Sequence, residues 1–235
     1  MMLTVMYASG LTAQHHQIAF KHLGSEQGLS QFAVNAIYQD EYGFIWIGTR
    51  AGLDRYDGRN IRILRTNKQN SHSLFCNNIM RLTGDGKGKI YILCTDGVAE
   101  YDLRTELFTT LLEEEHVRAI AYSDSLYVAR GNAILRYEPA DSSWREYLKV
   151  PESAENINHM LFLPDRGELW IGTDRGVYVR RDRNAPQLII PDCKTTQIYR
   201  SDDDRIWVGS WEDGIYIVSP DGTVRNIRRS ASADG

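Results

Sequence analysis

Cysteine is scarce in this chain: Cys76, Cys94 and Cys193 are the three among 235 residues. Their spacing contains no CxxC pair and no zinc pattern, so neither a disulfide framework nor a structural zinc site holds the fold together. Proline is also sparse, with six residues, and no Pro/Ser-rich or single-charge stretch interrupts the sequence. No segment approaches the roughly 18 apolar residues of a membrane span. Cations are not in excess either: 27 Lys and Arg against 31 Asp and Glu leave a net charge of −4. Phosphate binding needs clustered Lys and Arg, so nucleic acid is not the expected partner. The local pairs Arg180-Arg181 and Arg228-Arg229 read as solvated strand edges.

What the chain does contain is a repeat. Phe44-Ile45-Trp46-Ile47-Gly48-Thr49 is followed, after Arg50-Ala51-Gly52, by Leu53-Asp54-Arg55-Tyr56-Asp57. The pattern returns in Ile90-Tyr91-Ile92-Leu93-Cys94, Leu126-Tyr127-Val128-Ala129-Arg130, Leu169-Trp170-Ile171-Gly172-Thr173 and Ile206-Trp207-Val208-Gly209-Ser210. The anchor aromatic falls at positions 46, 91, 127, 170 and 207. A period near 40 residues whose unit is strand, turn, strand marks a propeller blade or a similar radial array. With 42% apolar and 25% charged residues, the composition is that of an ordinary globular protein.

One repeat shows the plan. Val34 to Tyr38 is a short apolar strand, Asp40-Glu41-Tyr42-Gly43 a turn, and Phe44 to Gly48 a strand of aromatic and β-branched residues. Arg50-Ala51-Gly52 turns the chain into a third strand, and Asp57-Gly58, a hairpin signal, leads to a fourth at Ile61 to Leu64. Four strands joined by tight turns form one antiparallel meander. The expected fold is therefore an all-β propeller of five four-stranded blades, at about 33–65, 78–110, 116–148, 157–190 and 195–229. Trp46, Trp170, Trp207, Tyr56, Tyr101 and Tyr137 recur at fixed places inside strands, which assigns them to packing rather than to sugar binding. Gly52, Gly97, Gly176 and Gly214 occupy equivalent turns, whereas repeat three has Ala133 there.

The ends are in phase with the repeat. Ile18-Ala19-Phe20-Lys21-His22-Leu23 precedes the first repeat as Ile61 to Leu64 precedes the second, so an outer strand is expected over 18–23. Its three companion strands are missing, which reads as an incomplete arc of a larger seven-bladed propeller in a longer protein. Residues 1–14 end like a secretory cleavage site, with Ala13 before Gln14, but lack a basic n-region. They read as the residue of a signal segment.

The motifs Gly28-Leu29-Ser30, Val34-Asn35-Ala36-Ile37, Gln39-Asp40-Glu41-Tyr42-Gly43-Phe44-Ile45-Trp46-Ile47-Gly48-Thr49 and Gly52-Leu53-Asp54-Arg55-Tyr56-Asp57-Gly58 closely resemble the two-component regulator propeller repeat. The resemblance is weaker in repeats two and three, where Leu93-Cys94 and Ala129-Arg130 replace Gly-Thr. It implies the periplasmic sensor region of a hybrid two-component histidine kinase. It further implies an oligosaccharide ligand, a kinase region and further blades on the same polypeptide, and a homodimer of the full-length protein. No cofactor is implied, and no phosphotransfer chemistry falls on these residues.

Strand parity places the connectors into each first strand and the turns between second and third strands on one face. The candidate ligand residues on that face are Arg50, Asn78, His116, Asn158, His159, Asp174, Arg175 and Trp211. A mixture of Asp, Arg, Asn and His with a loop tryptophan suits a hydroxyl-rich ligand. His116 and His159 stand a full repeat apart, so no metal site is expected. Two other classes compete with the sensor. A polysaccharide lyase or glycosidase would need convergent carboxylates, or a carboxylate with His or Tyr, and Glu115-His116 is the only local candidate. A protein-interaction scaffold would need no small ligand.

Overall fold

The computed structural model describes residues 22–228. Blade 1 comprises β1 (Val34–Gln39), β2 (Ile45–Thr49), β3 (Leu53–Tyr56) and β4 (Ile61–Leu64), and blade 2 comprises β5 (Ile79–Gly84), β6 (Lys89–Cys94), β7 (Gly97–Asp102) and β8 (Leu107–Glu113). Blade 3 is β9 (Val117–Tyr122), β10 (Leu126–Arg130), β11 (Ala133–Glu138) and β12 (Ser143–Lys149). Blade 4 is β13 (Ile157–Leu163), β14 (Glu168–Thr173), β15 (Gly176–Arg181) and β16 (Gln187–Pro191). Blade 5 is β17 (Thr195–Arg200), β18 (Ile206–Ser210), β19 (Ile215–Val218) and β20 (Val224–Ile227). Each blade is a four-stranded antiparallel meander in sequence order. The outer strand expected over 18–23 lies, except for His22 and Leu23, outside the described residues, as does the segment 1–14.

The first strands of consecutive blades pack on one another, so β1, β5, β9, β13 and β17 line the axis. Four apolar clusters fill the gaps between neighbouring blades, and each contains the second-strand aromatic of the earlier blade. Trp46 packs with Ile90, Ile92 and Tyr101 of blade 2. Tyr91 packs with Val117 and Val128 of blade 3, Tyr127 with Ile157 and Leu169 of blade 4, and Trp170 with Ile198 and Val208 of blade 5. A ring gains most when sealed between two sheets, where its whole apolar area leaves water. In three of these seams its polar edge is satisfied by an acid in the turn before the second strand or at that strand's first residue. Trp46 Nε1 donates to Asp40 Oδ2 at 2.8 Å, Tyr127 Oη to Asp124 Oδ1 at 2.7 Å, and Trp170 Nε1 to Glu168 Oε2 at 2.9 Å.

Among the described residues, no apolar cluster joins blade 5 to blade 1. Trp207 is half-buried, and the outward-facing Tyr199 and Ile37 are 58% and 68% exposed.

The motif of repeat one also acquires a physical reason. Ser30 donates from both its backbone N and its Oγ to Asp54 Oδ2, at 2.9 Å each, and its Oγ lies 2.7 Å from Thr49 Oγ1. Thr49 Oγ1 donates to Gly52 O at 3.0 Å. Thr49 and Asp54 are fully buried. Gly-Leu-Ser, Gly-Thr and Leu-Asp therefore occur together because Ser30, Thr49 and Asp54 Oδ2 form one hydrogen-bonded knot, while Asp54 Oδ1 is buried without a partner among the described residues. The recurring turn glycine has a steric reason as well. Gly97 adopts φ 141°, and a Cβ there would collide with the Leu112 carbonyl oxygen of β8. In blade 3 the turn glycine moves two positions earlier, to Gly131 at φ 58°, which accounts for Ala133.

Candidate functional site at the mouth of the central channel

Each inner strand pairs with the second strand of its blade in a ladder that skips one residue. The skipped residues are Asn35, Met80, Arg118, Asn158 and Thr196, one from every blade. A bulge removes its extra residue from the ladder and re-aims the side chain. All five line a single cavity of about 660 Å³ at the axis. The turns between second and third strands add Arg50, Thr95, Asp174 and Trp211, the connectors add Asn78 and Lys194, and Arg81 and Thr195 complete the wall.

Among the described residues Asp174 is the one carboxylate of this wall, and it is fully engaged. Asn158 Nδ2 donates to its Oδ1 at 2.9 Å and Asn156 Nδ2 to its Oδ2 at 2.8 Å, while Arg118 Nη1 lies 3.4 Å from Oδ2. Burial pushes its carboxyl up, but the two amides and the Arg118 charge together outweigh burial and hold it below the usual carboxylate range. Asp174 is thus a fixed anion that orients its neighbours and holds no proton to give.

Arg81 is in the opposite condition. Its guanidinium donates to Arg118 O at 3.4 Å, Thr196 O at 3.2 Å and Gln197 Oε1 at 3.3 Å, all neutral oxygens. Burial pushes it below the usual guanidinium range. Arg50, Arg81 and Lys194 make no ion pair among the described residues, so the wall carries four cations against one carboxylate that is already spoken for. Beneath Asn158, the His159 Nδ1 is buried without a hydrogen-bond partner among the described residues. Burial, then the Arg81 charge, pushes its pKa down to about 3, so the imidazole is neutral.

Of the residues singled out from sequence, Arg50, Asn78, Asn158, Asp174 and Trp211 meet in this cavity. The others do not. His159 lies one residue past the bulge, below the wall. Arg175 points into a neighbouring 340 Å³ hollow and pairs with Glu155 at 2.7 Å. His116 is exposed in the turn before β9, at φ 71°, and lines neither cavity. Reasoning from turns and connectors missed Asn35, Met80, Arg81, Arg118 and Thr196, which stand inside strands. The signal that finds them is positional: they are the second or third residue of each first strand.

The wall offers amides to hydroxyls, cations to an anion and, at the rim, the indole of Trp211, which is 71% exposed. An exposed ring beside convergent polar groups is a stacking platform for a flat, hydroxylated ligand. Trp211 is held there by its backbone, whose N–H donates to Lys194 O at 2.9 Å.

Comparison with known proteins bears on what this arrangement belongs to. Residues 28–51 match the family described as two component regulator propeller. Over 67 residues, 28% of this chain, the sequence is 42% identical to histidine kinase P4 of Formosa agariphila, and the match spans 5% of that protein. Among solved structures, the extracellular domain of BT3049, a protein of B. thetaiotaomicron named as a hybrid two component system, matches 89% of this chain and 36% of its own length. Its TM-score is 0.66 at 21% identity. PorZ, a surface component of the type-IX secretion system of Porphyromonas gingivalis, matches 88% of this chain and 29% of its own, with TM-score 0.65 at 17% identity. The chain therefore spans about a third of these structures and a small part of the kinase. It carries the two component regulator propeller repeat, matched at residues 28–51, in a β-propeller whose other four blades follow the same strand plan.

Proposed function

We propose that this chain is an extracytoplasmic ligand-sensing propeller that binds an oligosaccharide at the channel mouth and signals to a histidine kinase region of the same, homodimeric polypeptide. The observation that carries the reading is the wall of five bulged residues, one per blade, beneath the exposed Trp211. A pocket assembled from every blade is sensitive to the relative position of all of them, which suits a site whose occupancy is to be reported elsewhere. The matched repeat, the similarity to a histidine kinase and the likeness to an extracellular sensor domain support the signalling half of the reading. The chemistry of the wall supports binding over turnover. Hydrolysis of a glycosidic bond uses two carboxyl groups, one of them protonated. Asp174 is a single carboxylate held ionised, and Glu115-His116 stands outside the cavity.

The test is titration calorimetry of the chain against neutral and acidic oligosaccharides, with product analysis after long incubation. Binding without cleavage is expected, weakened about fivefold or more by Trp211→Ala, since loss of one stacking platform is worth about 1–3 kcal/mol. Cleavage of any bound glycan would make the chain an enzyme. Absence of binding across the panel would leave the scaffold reading.

A further inference from the structure

Arg81 is the feature of the cavity that its own protein surroundings leave incomplete. A guanidinium has five N–H donors. Three of the five meet oxygens at 3.2–3.4 Å, the long end of the hydrogen-bond range, and none of these oxygens is charged. Among the described residues, no carboxylate pairs with it. A cation withdrawn from water without an anion is costly, and proteins ordinarily compensate one with a carboxylate. The nearest equivalent, Arg118, has Asp174. Arg81 sits on the third residue of β5, at the wall of the cavity, with Lys194 and Arg50 also unpaired around the same space.

We propose that the cavity takes an acidic saccharide, its carboxylate or sulfate group seated on Arg81 and its ring against Trp211. The inference rests on the saccharide reading above and specifies the charge of the ligand. A planar fork of donors fits a carboxylate or sulfate in two-point contact, and such charge-assisted bonds are about twice as strong as neutral ones. The attraction is local. The chain is net negative, and Glu212 and Asp213 border the neighbouring hollow, so no long-range field draws an anion to this face. Exposed charges are screened beyond about 8 Å at physiological salt. The anion is selected at the cavity wall, by Arg81, after the sugar has arrived.

The competing role for Arg81 is a strut, since its bonds join the inner strands of blades 2, 3 and 5. Calorimetry and thermal melting of the wild-type chain, Arg81→Gln and Arg81→Lys separate the two. The probes are tetragalacturonic acid, a sulfated chondroitin tetrasaccharide, neutral xylotetraose and inorganic sulfate. The expected result is that at least one acidic tetrasaccharide binds ten times or more tighter than xylotetraose. That affinity should fall with added salt, fall at least tenfold in Arg81→Gln, and return in part in Arg81→Lys. If Arg81→Gln does not fold, the salt dependence and the Lys variant carry the test. Tighter binding of the neutral sugar overturns the charge assignment and leaves the saccharide reading standing. So does an Arg81→Gln variant that melts earlier yet binds an acidic sugar unchanged. Inorganic sulfate binding as tightly as the sugars would reduce the site to a bare anion site, and failure of every sugar to bind would remove both readings.

Discussion

The Arg118 guanidinium of blade 3 lies 3.4 Å from the Asp174 carboxylate of blade 4, 56 residues later in the chain. One partner is a bulged residue on an inner strand and the other a residue of a turn, and each is placed by the repeat of its own blade. The contact links two blades at the cavity wall, outside the apolar seam that otherwise joins them. Among the described residues, Arg50, Arg81 and Lys194 of the wall make no ion pair. Blade packing and the cavity wall thus share Arg118 and Asp174.

Asp174 gives a pH-dependent stability with a definite sign. Its folded carboxyl is held below the usual range, while the unfolded value is about 3.9. A depressed folded value stabilises the fold above the unfolded pKa, and the contribution disappears as pH falls through the folded value. Asp174→Asn is expected to cost about 1–2 kcal/mol at pH 7, for the two amides and one guanidinium left less well paired. In urea unfolding, the gap between variant and wild type should shrink below about pH 4. A gap unchanged from pH 7 to pH 3 would show that the carboxylate charge is not what matters.

Gly97 tests whether the recurring turn glycine is there for backbone conformation or for space. At Gly131, φ is 58° and nothing stands within 4 Å of an added Cβ, so Gly131→Ala should cost about 1 kcal/mol, the penalty of the left-handed conformation alone. Gly97→Ala adds a collision with the Leu112 carbonyl, which is backbone in the β8 ladder and cannot swing aside. A cost of about 3 kcal/mol or more is expected from denaturant midpoints. Equal costs at the two positions would mean that the strands separate easily here.

These residues also show what the sequence made legible. The blade plan could be read because a ring sealed between two sheets recurs at the same place in each blade, often with an acid at its polar edge, as Trp46 with Asp40 and Trp170 with Glu168 show. The face on which the cavity opens could be read because strand parity is a matter of counting. The strand-borne part of the cavity wall could not. Asn35, Arg118 and Thr196 reach the channel through β-bulges, and a bulge breaks the two-residue alternation from which side-chain direction is inferred. His116 belongs to the same face by count, yet it is exposed in the turn before β9 and does not line the cavity.

The three thiols are expected to differ in reactivity. Cys94 and Cys193 are completely buried; hydrogen bonding with Cys76, then burial, pushes Cys94 upward, and burial pushes Cys193 upward against the hydrogen bonds of Thr195 and Ser210. Cys76 is 6% exposed and is held down at about 6, by hydrogen bonding from Cys94 first and from Thr95 and the Asn78 region after it. The thiolate is the reactive form, so Cys76 should be the first to take iodoacetamide in the native protein, with its rate holding between pH 8 and 7 where an ordinary thiol near 8.5 slows severalfold. Peptide mapping after timed labelling reads this. Uniform labelling of all three sites would instead report global opening of the blades.

The turn acid beneath the second-strand aromatic should matter only where a following blade seals the ring. Asp40 accepts from Trp46 Nε1 at 2.8 Å and from the Tyr42 and Phe44 backbone amides at 3.0 Å each, and both Asp40 and Trp46 are buried. Asp40→Ala leaves an indole N–H and two amides without their acceptor, away from water, and is expected to cost about 2–4 kcal/mol. In blade 5 the equivalent indole, Trp207, donates to Ser201 Oγ at 3.1 Å but is half-buried. Water can replace the lost hydroxyl there, so Ser201→Ala should cost under about 1 kcal/mol. The two variants differ in the packing of a neighbouring blade over the ring and in the bonds lost, since Asp40 accepts from three donors whereas Ser201 Oγ accepts from the Trp207 indole and lies within reach of Asp203 and Arg205 O. Urea titrations of both measure the two contributions together. Near-equal losses would show that the hydrogen bond acts locally within each blade, and that sealing between blades contributes little to it.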